Sequence, residues 1–420
     1  MKKFLKILSN ILFIAIISIG LYLIYDYYVT NNFNDYTKSA LVQNSSEFTR
    51  DKSVKYSSQR SFKIYSPEFN DAMISKDIEV KKNTPYRLTC MVKTENVESE
   101  NNKTGSGAHL SINGKTTRSI AITGTKDWQK IELLFSSKNE EKVNVGFRLG
   151  GYIDKCKGTA WFSDMKVEEG TPDTSNEWKF ACFIYNNTDV TINNKNVKVS
   201  VTDRDISDIK DTITRFEDSC KTLSNGKMTA NTDIYAIDRP LTKLSYDDEF
   251  GYYVAPEDVE RDIKSTINKN NYDHIFVVIR LGDDFYKDDI EVNDWIGLGS
   301  MDYYGIGFSN IRLPNDSKSY IYRYDPRINL FPEEVFLHEF LHSLERNAKE
   351  YGFERPALHD YEKYGYEIER LYGQKSWYTD YMNKEINNNG TKIGLPEEIY
   401  TLKPAKQQDF ENAVELREVF

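Results

Sequence analysis

The spacing of apolar positions divides the chain into three stretches of different period. Ile11 to Ile24 is uncharged and almost wholly apolar. Counting back to Ile7 gives about 18 residues, with Ser9 and Asn10 as polar breaks, which is near the length that crosses a bilayer. Tyr25, Tyr27 and Tyr28 follow as an interface belt would. Residues 1–30 are therefore expected to form a transmembrane segment, and residues 31–46, rich in Asn, Thr and Ser, a short stalk. From 47 to 171 the period becomes two. The runs SFKIYS, YRLTCMVKT, HLSING, SIAITG, WQKIELLFSS, VNVGFRLGG and TAWFSDMKVEEG alternate and are separated by Gly, Asn and Lys turns. That pattern predicts an all-β sandwich.

Beyond Thr171-Pro172 strands interleave with helices over 172–420, the signature of an α/β domain. KFACFIY, VKVSV and DIYAID read as strands, and HIFVVIRL, from His274 to Leu281, as a central one. Asp203 to Leu223 carries Ile206, Ile209, Ile213, Phe216 and Cys220 at helical spacing, ended by Asn225-Gly226; Pro256 to Lys269 reads as a shorter helix. A third helix is expected from Phe331 to Gly352. Pro332 suits its first position, Glu333 and Glu334 suit the positive end of its dipole, and Gly352 suits its exit.

That helix changes the picture from architecture to chemistry, because it holds His338, Glu339 and His342 as H-E-x-x-H. Residues four apart share a helix face, so the two imidazoles can serve one metal ion while Glu339 stands beside it. Zinc lowers the pKa of a bound water to about 7 and polarises a carbonyl, and a neighbouring carboxylate can take the proton. Histidine is scarce, with five in 420 residues, and His338, His342 and His359 fall close together.

A hydrolytic zinc site usually has three protein ligands. Pro356 to Tyr372 offers His359, Asp360, Glu362 and Glu367, and the segment reads as helical, so that His359 and Glu362 would share a face. His359 is expected as the third ligand, with Glu362 and Asp360 as alternatives. Tyr366, with Tyr364 as a second candidate, is expected to donate a hydrogen bond to a tetrahedral oxyanion.

Charge narrows the partners. The net charge is −10 with both signs interspersed, and no long basic run lies beyond the first six residues, which argues against nucleic acid. Lys2, Lys3 and Lys6 before the apolar segment put the N-terminus in the cytoplasm and the rest outside, as an uncleaved signal-anchor would. Cys90, Cys156, Cys182 and Cys220 would then meet an oxidising compartment, where Cys90 and Cys156 could pair. Trp128 and Trp161 are expected in the sandwich core, not as sugar platforms.

Two resemblances extend this reading. Pro85 to Thr89, Gly124 to Ile131 and Ala160 to Glu168 resemble the carbohydrate-binding jelly-roll modules of bacterial glycoside hydrolases, which implies a module able to take glycan through residues 47–171. Phe331 to about Tyr366 resembles the zincin clan of metallopeptidases. Its subfamily patterns are incomplete: Glu345 and Ala348 stand where metzincins have Gly and a third His, and Glu362, twenty residues after His342, lacks the thermolysin-type surroundings. Asp360 to Gly365 is similar to the aspartate-ligand deuterolysin pattern, with one residue extra. The clan implies an edge strand that receives an extended substrate, for which Gly305 to Leu313 is the candidate.

Together these imply a multidomain chain: an N-terminal transmembrane helix, a jelly-roll sandwich and an α/β zincin-like domain, single-pass in the cell membrane with its C-terminal region extracellular. The expected function is a Zn2+-dependent metalloendopeptidase acting on protein or glycoprotein. The alternatives are a surface carbohydrate-binding protein with a structural or degenerate zincin domain, and a zinc amidase acting on cell-wall peptide.

Overall fold

The computed structural model of the chain describes residues 2–101, 105–152, 154–192, 194–267, 272–282, 295–303, 305–313, 333–367 and 374–416. The first element is α1 (Lys2–Asn31). From Phe13 to Asn31 it is long and apolar enough, by length and composition, to cross a membrane, and the rest of the chain does not cover it.

The stalk expected at 31–46 is instead part of the sandwich. Phe33 is buried in the sandwich core, and β1 (Thr37–Ala40) pairs antiparallel with β4. The pattern concealed this because TKSA is an exposed edge with no apolar alternation. The remaining strands are β2 (Glu47–Asp51), β3 (Ser61–Asn70), β4 (Ala72–Glu79), β5 (Pro85–Ser99), β6 (Gly107–Ile112), β7 (Gly124–Ser136), β8 (Lys142–Gly150) and β9 (Cys156–Glu169). They form two sheets, β1-β4-β8-β6 and β2-β3-β9-β5-β7. SIAITG forms one isolated bridge to β6, at Ala108–Ile122, with Arg118 just before it bridging Ser111, and its Gly124 begins β7. Alternation sends Val143, Val145, Phe147 and Leu149 of β8 into the core, where Phe147 stacks on Phe162 at 4.9 Å. Burying such a side chain contributes roughly 1.5–3 kcal/mol, so Phe147→Ala is costly at about 3–5 kcal/mol.

The α/β domain follows: β10 (Glu177–Tyr185), a hairpin of β11 (Asn187–Ile192) and β12 (Lys195–Ser200), α2 (Asp203–Leu223), β13 (Thr229–Ile237), β14 (Ser245–Asp247), β15 (Gly251–Tyr253), α3 (Pro256–Thr266), β16 (His274–Ile279), β17 (Gly297–Tyr303), β18 (Ile306–Arg312), α4 (Glu334–Glu350), α5 (Lys375–Met382), β19 (Ile386–Asn388), β20 (Thr391–Ile393) and β21 (Val414–Glu415). α2 starts where Thr202 and Asp205 cap each other's backbone N–H groups, and it buries Ile209, Ile213, Phe216 and Cys220. The sheet order is β13-β10-β16-β18-β17. The first four strands are parallel and β17 runs antiparallel to β18. One face packs on α2, α4 and α5, and the other on α3 and the β11–β12 hairpin.

Two expectations are corrected here. The edge strand is β17, not Gly305 to Leu313: β18 lies between β16 and β17 and all seven of its residues are buried. The disulfide is absent, since Cys90 and Cys156 are both free and buried. Cys156 stands opposite Ser99 on β5, nine residues along the strand from Cys90, a span of roughly 30 Å.

The chain ends by tying the two domains together. β21 pairs with β9 of the sandwich, while Lys406 lies 2.7 Å from Asp273 and 3.0 Å from Asp173, with Lys403 also 3.0 Å from Asp173. The helix that carries the H-E-x-x-H residues meets the sandwich directly, because Lys138 donates to Asn347 (2.9 Å) and pairs with Glu350.

Candidate metal centre

α4 turns Phe336, Leu337, Phe340, Leu341 and Leu344 into the domain core and leaves His338 and His342 half-buried on its other face. Glu333, just before it, is held to α2 by Arg215 (3.3 Å) and Ser219 (3.1 Å). Pro332, expected to open the helix, lies outside the described residues.

The two imidazoles meet a third. Nε2 of His338 is 3.2 Å from Nε2 of His342 and 2.9 Å from Nε2 of His359, and the last two are 3.1 Å apart. Three ring nitrogens at the corners of one triangle cannot all be satisfied by hydrogen bonds to each other, because a neutral imidazole carries one proton. A zinc–imidazole bond of about 2.0–2.1 Å puts tetrahedral ligand atoms about 3.3 Å apart. The triangle fits that ion with small adjustment. Among the described residues these three histidines are the group whose donor atoms converge in this way.

Each imidazole is held from behind. Nδ1 of His338 is 2.9 Å from the Tyr378 hydroxyl, which donates to Glu334 (3.2 Å). Nδ1 of His342 is 3.3 Å from Oε2 of Glu345. An Nδ1–H directed to oxygen leaves the Nε2 lone pair for a metal. His359 is placed by its neighbour. Leu358 is 1% exposed, its N–H donates to Oε1 of Glu345 (3.0 Å), and its carbonyl accepts from Trp377 (2.8 Å). The segment after Pro356 is not the expected helix; only Tyr361–Tyr364 turns, as a 3-10 helix. His359 and Glu362 therefore share no helix face, and Glu362 is exposed while Asp360 pairs with Lys363 at 3.3 Å.

Glu339 is 6% exposed, and burial pushes its carboxyl up to about 7 against the opposing pull of His342 and the Gly299 backbone N–H. β17 makes room for it with two glycines: a Cβ at Gly297 would lie 2.4 Å from Oε1, and one at Gly299 2.8 Å from Oε2. Burial, with the other two imidazoles, lowers His338 to about 3, and burial also lowers His359. Tyr366 is placed differently from its expected role. Its hydroxyl donates to Asp380 (2.5 Å) and its ring packs on Trp377. Tyr364 stacks on Trp377 as well.

Sequence reasoning missed Glu345, Tyr378, Gly297 and Gly299. Glu345 carried a signal, since it lies one turn after His342 on the same helix face. Tyr378, forty residues from His338, carried none.

On the sandwich, Trp161 is 5% exposed and bonded to Asp51 (3.0 Å), whereas Trp128 is half-buried with its ring 5.8 Å from Tyr56. The four-stranded sheet turns a polar face away from the core. There Arg148 is 4% exposed, chelates Asp71, and lies 3.9 Å from the ring centroid of Tyr152, which is 57% exposed.

No protein-family model matches the chain, and no curated protein matches it. Among solved structures, the chain is similar to the enzymatically active domain of bacteriophage CBA120 tailspike protein 4, at 12% identity and a TM-score of 0.26, over 33% of this chain and 21% of that one. It is also similar to TmCBM61 in complex with β-1,4-galactotriose, at 13% identity and a TM-score of 0.25, over 33% of this chain and 94% of that one. A CBM4 structure matches at 16% identity and a TM-score of 0.24, over 33% of this chain and 89% of that one.

Proposed function

We propose that the chain is a membrane-tethered, extracellular zinc metalloendopeptidase that hydrolyses peptide bonds in surface or extracellular proteins, with its sandwich as a glycan-targeting module. The observation that carries this is the convergence of three imidazole Nε2 atoms within 3.2 Å of one another, beside a buried glutamate on the same helix. Zinc held by His338, His342 and His359 would supply an acidified water and a polarised carbonyl.

The remaining work falls to the chain. Glu339, its carboxyl near 7, is poised to take a proton from water at neutral pH and hand it to the leaving amine. The Gly299 N–H restrains that carboxylate. Glu345 and Tyr378 fix the ring orientations of His342 and His338. β17 is the sheet edge beside Glu339, so its outward backbone groups suit an extended peptide added as a further strand. A zinc amidase acting on cell-wall peptide would use the same residues.

A second reading, a surface carbohydrate-binding protein with a structural or degenerate zinc domain, is favoured by the polar face around Arg148 and Tyr152. An exposed aromatic ring beside a fixed guanidinium is suited to stacking on a sugar and bonding its hydroxyls. Two experiments test the ligand set and the glycan face, which both readings share, and peptide turnover separates the readings themselves. Zinc content of the full chain is expected to fall in His359→Ala and persist in Glu362→Ala; the reverse overturns the ligand set. Polysaccharide pull-down is expected to weaken in Tyr152→Ala, and unchanged capture removes that face as the glycan site.

A further inference from the structure

At the end of the sandwich nearest α1 lies a recess of about 260 Å³. Phe62 and Phe147, 5.2 Å apart between ring centroids, give it an apolar floor, extended by Met165. Arg50, Arg60 and Lys166 give it a cationic wall. Two of those charges are already matched: Arg60 pairs with Asp26 (2.5 Å) and bonds Thr30 (2.9 Å), and Lys166 pairs with Glu415 (3.2 Å). Asp164, on the same wall, accepts from Ser57 (2.5 Å). Arg50 is different. Its guanidinium lies 4.8 Å from the Phe62 ring centroid, and its Nε is buried with no hydrogen-bond partner. The rest of the fork lines the recess with no carboxylate paired to it among the described residues, and a guanidinium so placed suits an anion.

The position of the recess identifies the anion. Asp26 and Thr30 belong to the last two turns of α1, Lys52 also pairs with Asp26 (2.6 Å), and Lys52 Nζ lies 5.7 Å from the ring centroid of Tyr22 on the same helix. Asp26 and Thr30 follow the apolar run that ends at Ile24, so in a bilayer that α1 would cross they stand at the level of the headgroups. We propose that Arg50 and this recess bind the phosphate of an anionic lipid from the leaflet beside which the sandwich sits, with the glycerol and acyl root over Phe62. This rests on reading α1 as a membrane span. It would hold the sandwich down on the membrane in addition to the covalent anchor.

The test uses the full chain in neutral detergent micelles, titrated with dihexanoyl phosphatidylglycerol, dihexanoyl phosphatidylcholine and inorganic phosphate, with bound ligand counted by native mass spectrometry. The expected result is one saturable phosphatidylglycerol, at least tenfold weaker phosphatidylcholine, and no saturation by inorganic phosphate. Arg50→Gln is expected to lose about tenfold in phosphatidylglycerol affinity, and Arg50→Lys, which keeps the charge without the fork, to fall between. Equal binding by Arg50→Gln, equal binding of the two lipids, or saturation by inorganic phosphate at the same affinity overturns the proposal. Circular dichroism and zinc content report whether each variant is folded, and Arg50→Lys carries the test if Arg50→Gln is not. Extraction of vesicle-bound chain with alkaline carbonate reads the anchor separately: release of wild type and variants alike contradicts the membrane span, whatever the lipid titration shows.

Discussion

Glu345 links two arms of the histidine triangle: Oε2 faces Nδ1 of His342 at 3.3 Å, and Oε1 accepts the Leu358 N–H at 3.0 Å, one residue before His359. One side chain thus orients one imidazole and positions the loop that delivers another. Carboxylates behind metal-bound histidines are worth about 10–100-fold in metal affinity. Glu345→Ala is expected to weaken zinc binding by at least that factor, measured by competition with a chelating dye. Tyr378→Phe, which removes the hydroxyl behind His338, is expected to cost less because it leaves the ring packing intact.

The glycines of β17 are expected to act on turnover and not on metal binding. A Cβ at Gly299 would approach the Glu339 carbonyl oxygen to 2.6 Å, and one at Gly297 would approach its carboxyl carbon to 2.6 Å. Either alanine must move the carboxylate, and a displacement of about 1 Å can cost on the order of 10²-fold in rate. Steady-state kinetics of Gly297→Ala and Gly299→Ala are expected to show kcat reduced to that extent with zinc content unchanged.

Glu339 should make the protein less stable where it is ionised. Its folded-state carboxyl is raised to about 7 from an ordinary 4.5, with burial as the main cause. The folded state therefore binds the proton more tightly than the unfolded chain between those values, and stability falls as pH rises through the window. The loss is complete above pH 7 and absent below pH 4.5. Glu339→Gln removes it, so metal-free variant protein is expected to be about 1–3 kcal/mol more stable than metal-free wild type at pH 8. The two are expected to converge at pH 4, below the window, as read by denaturant titration.

Lys406 is 0% exposed and lies 2.7 Å from Asp273, itself 1% exposed, at the point where the C-terminal segment joins the domains. Removing the cation leaves a buried carboxylate without its nearest partner, a loss of about 3–5 kcal/mol. Lys406→Ala is expected to lower the denaturation midpoint accordingly. Lys166→Ala, whose partner Glu415 is exposed, is expected to change it little.

The parts legible in the sequence were those with a strong local period. Asp203–Leu223 is bounded as its spacing and caps indicate, and β5, β7, β8 and β9 follow their alternating runs. What escaped depends on distant partners. β1 has no apolar alternation and exists because β4 offers an edge. β17 and β18 are adjacent runs in one stretch, and which of them is the edge is decided by β16. Within the site, His338 and His342 follow from helical spacing, whereas His359 arrives through Glu345 and Trp377, contacts of 13 and 19 residues that a single sequence does not display.

The most direct measurement is turnover of a peptide library by the full chain loaded with zinc, wild type against Glu339→Gln, with bound zinc determined on the same samples. One zinc per chain is expected in both proteins, with cleavage by the wild type and a loss of at least 10²-fold in the variant. Full cleavage by Glu339→Gln, or wild-type chain that binds no zinc, would contradict the metallopeptidase reading.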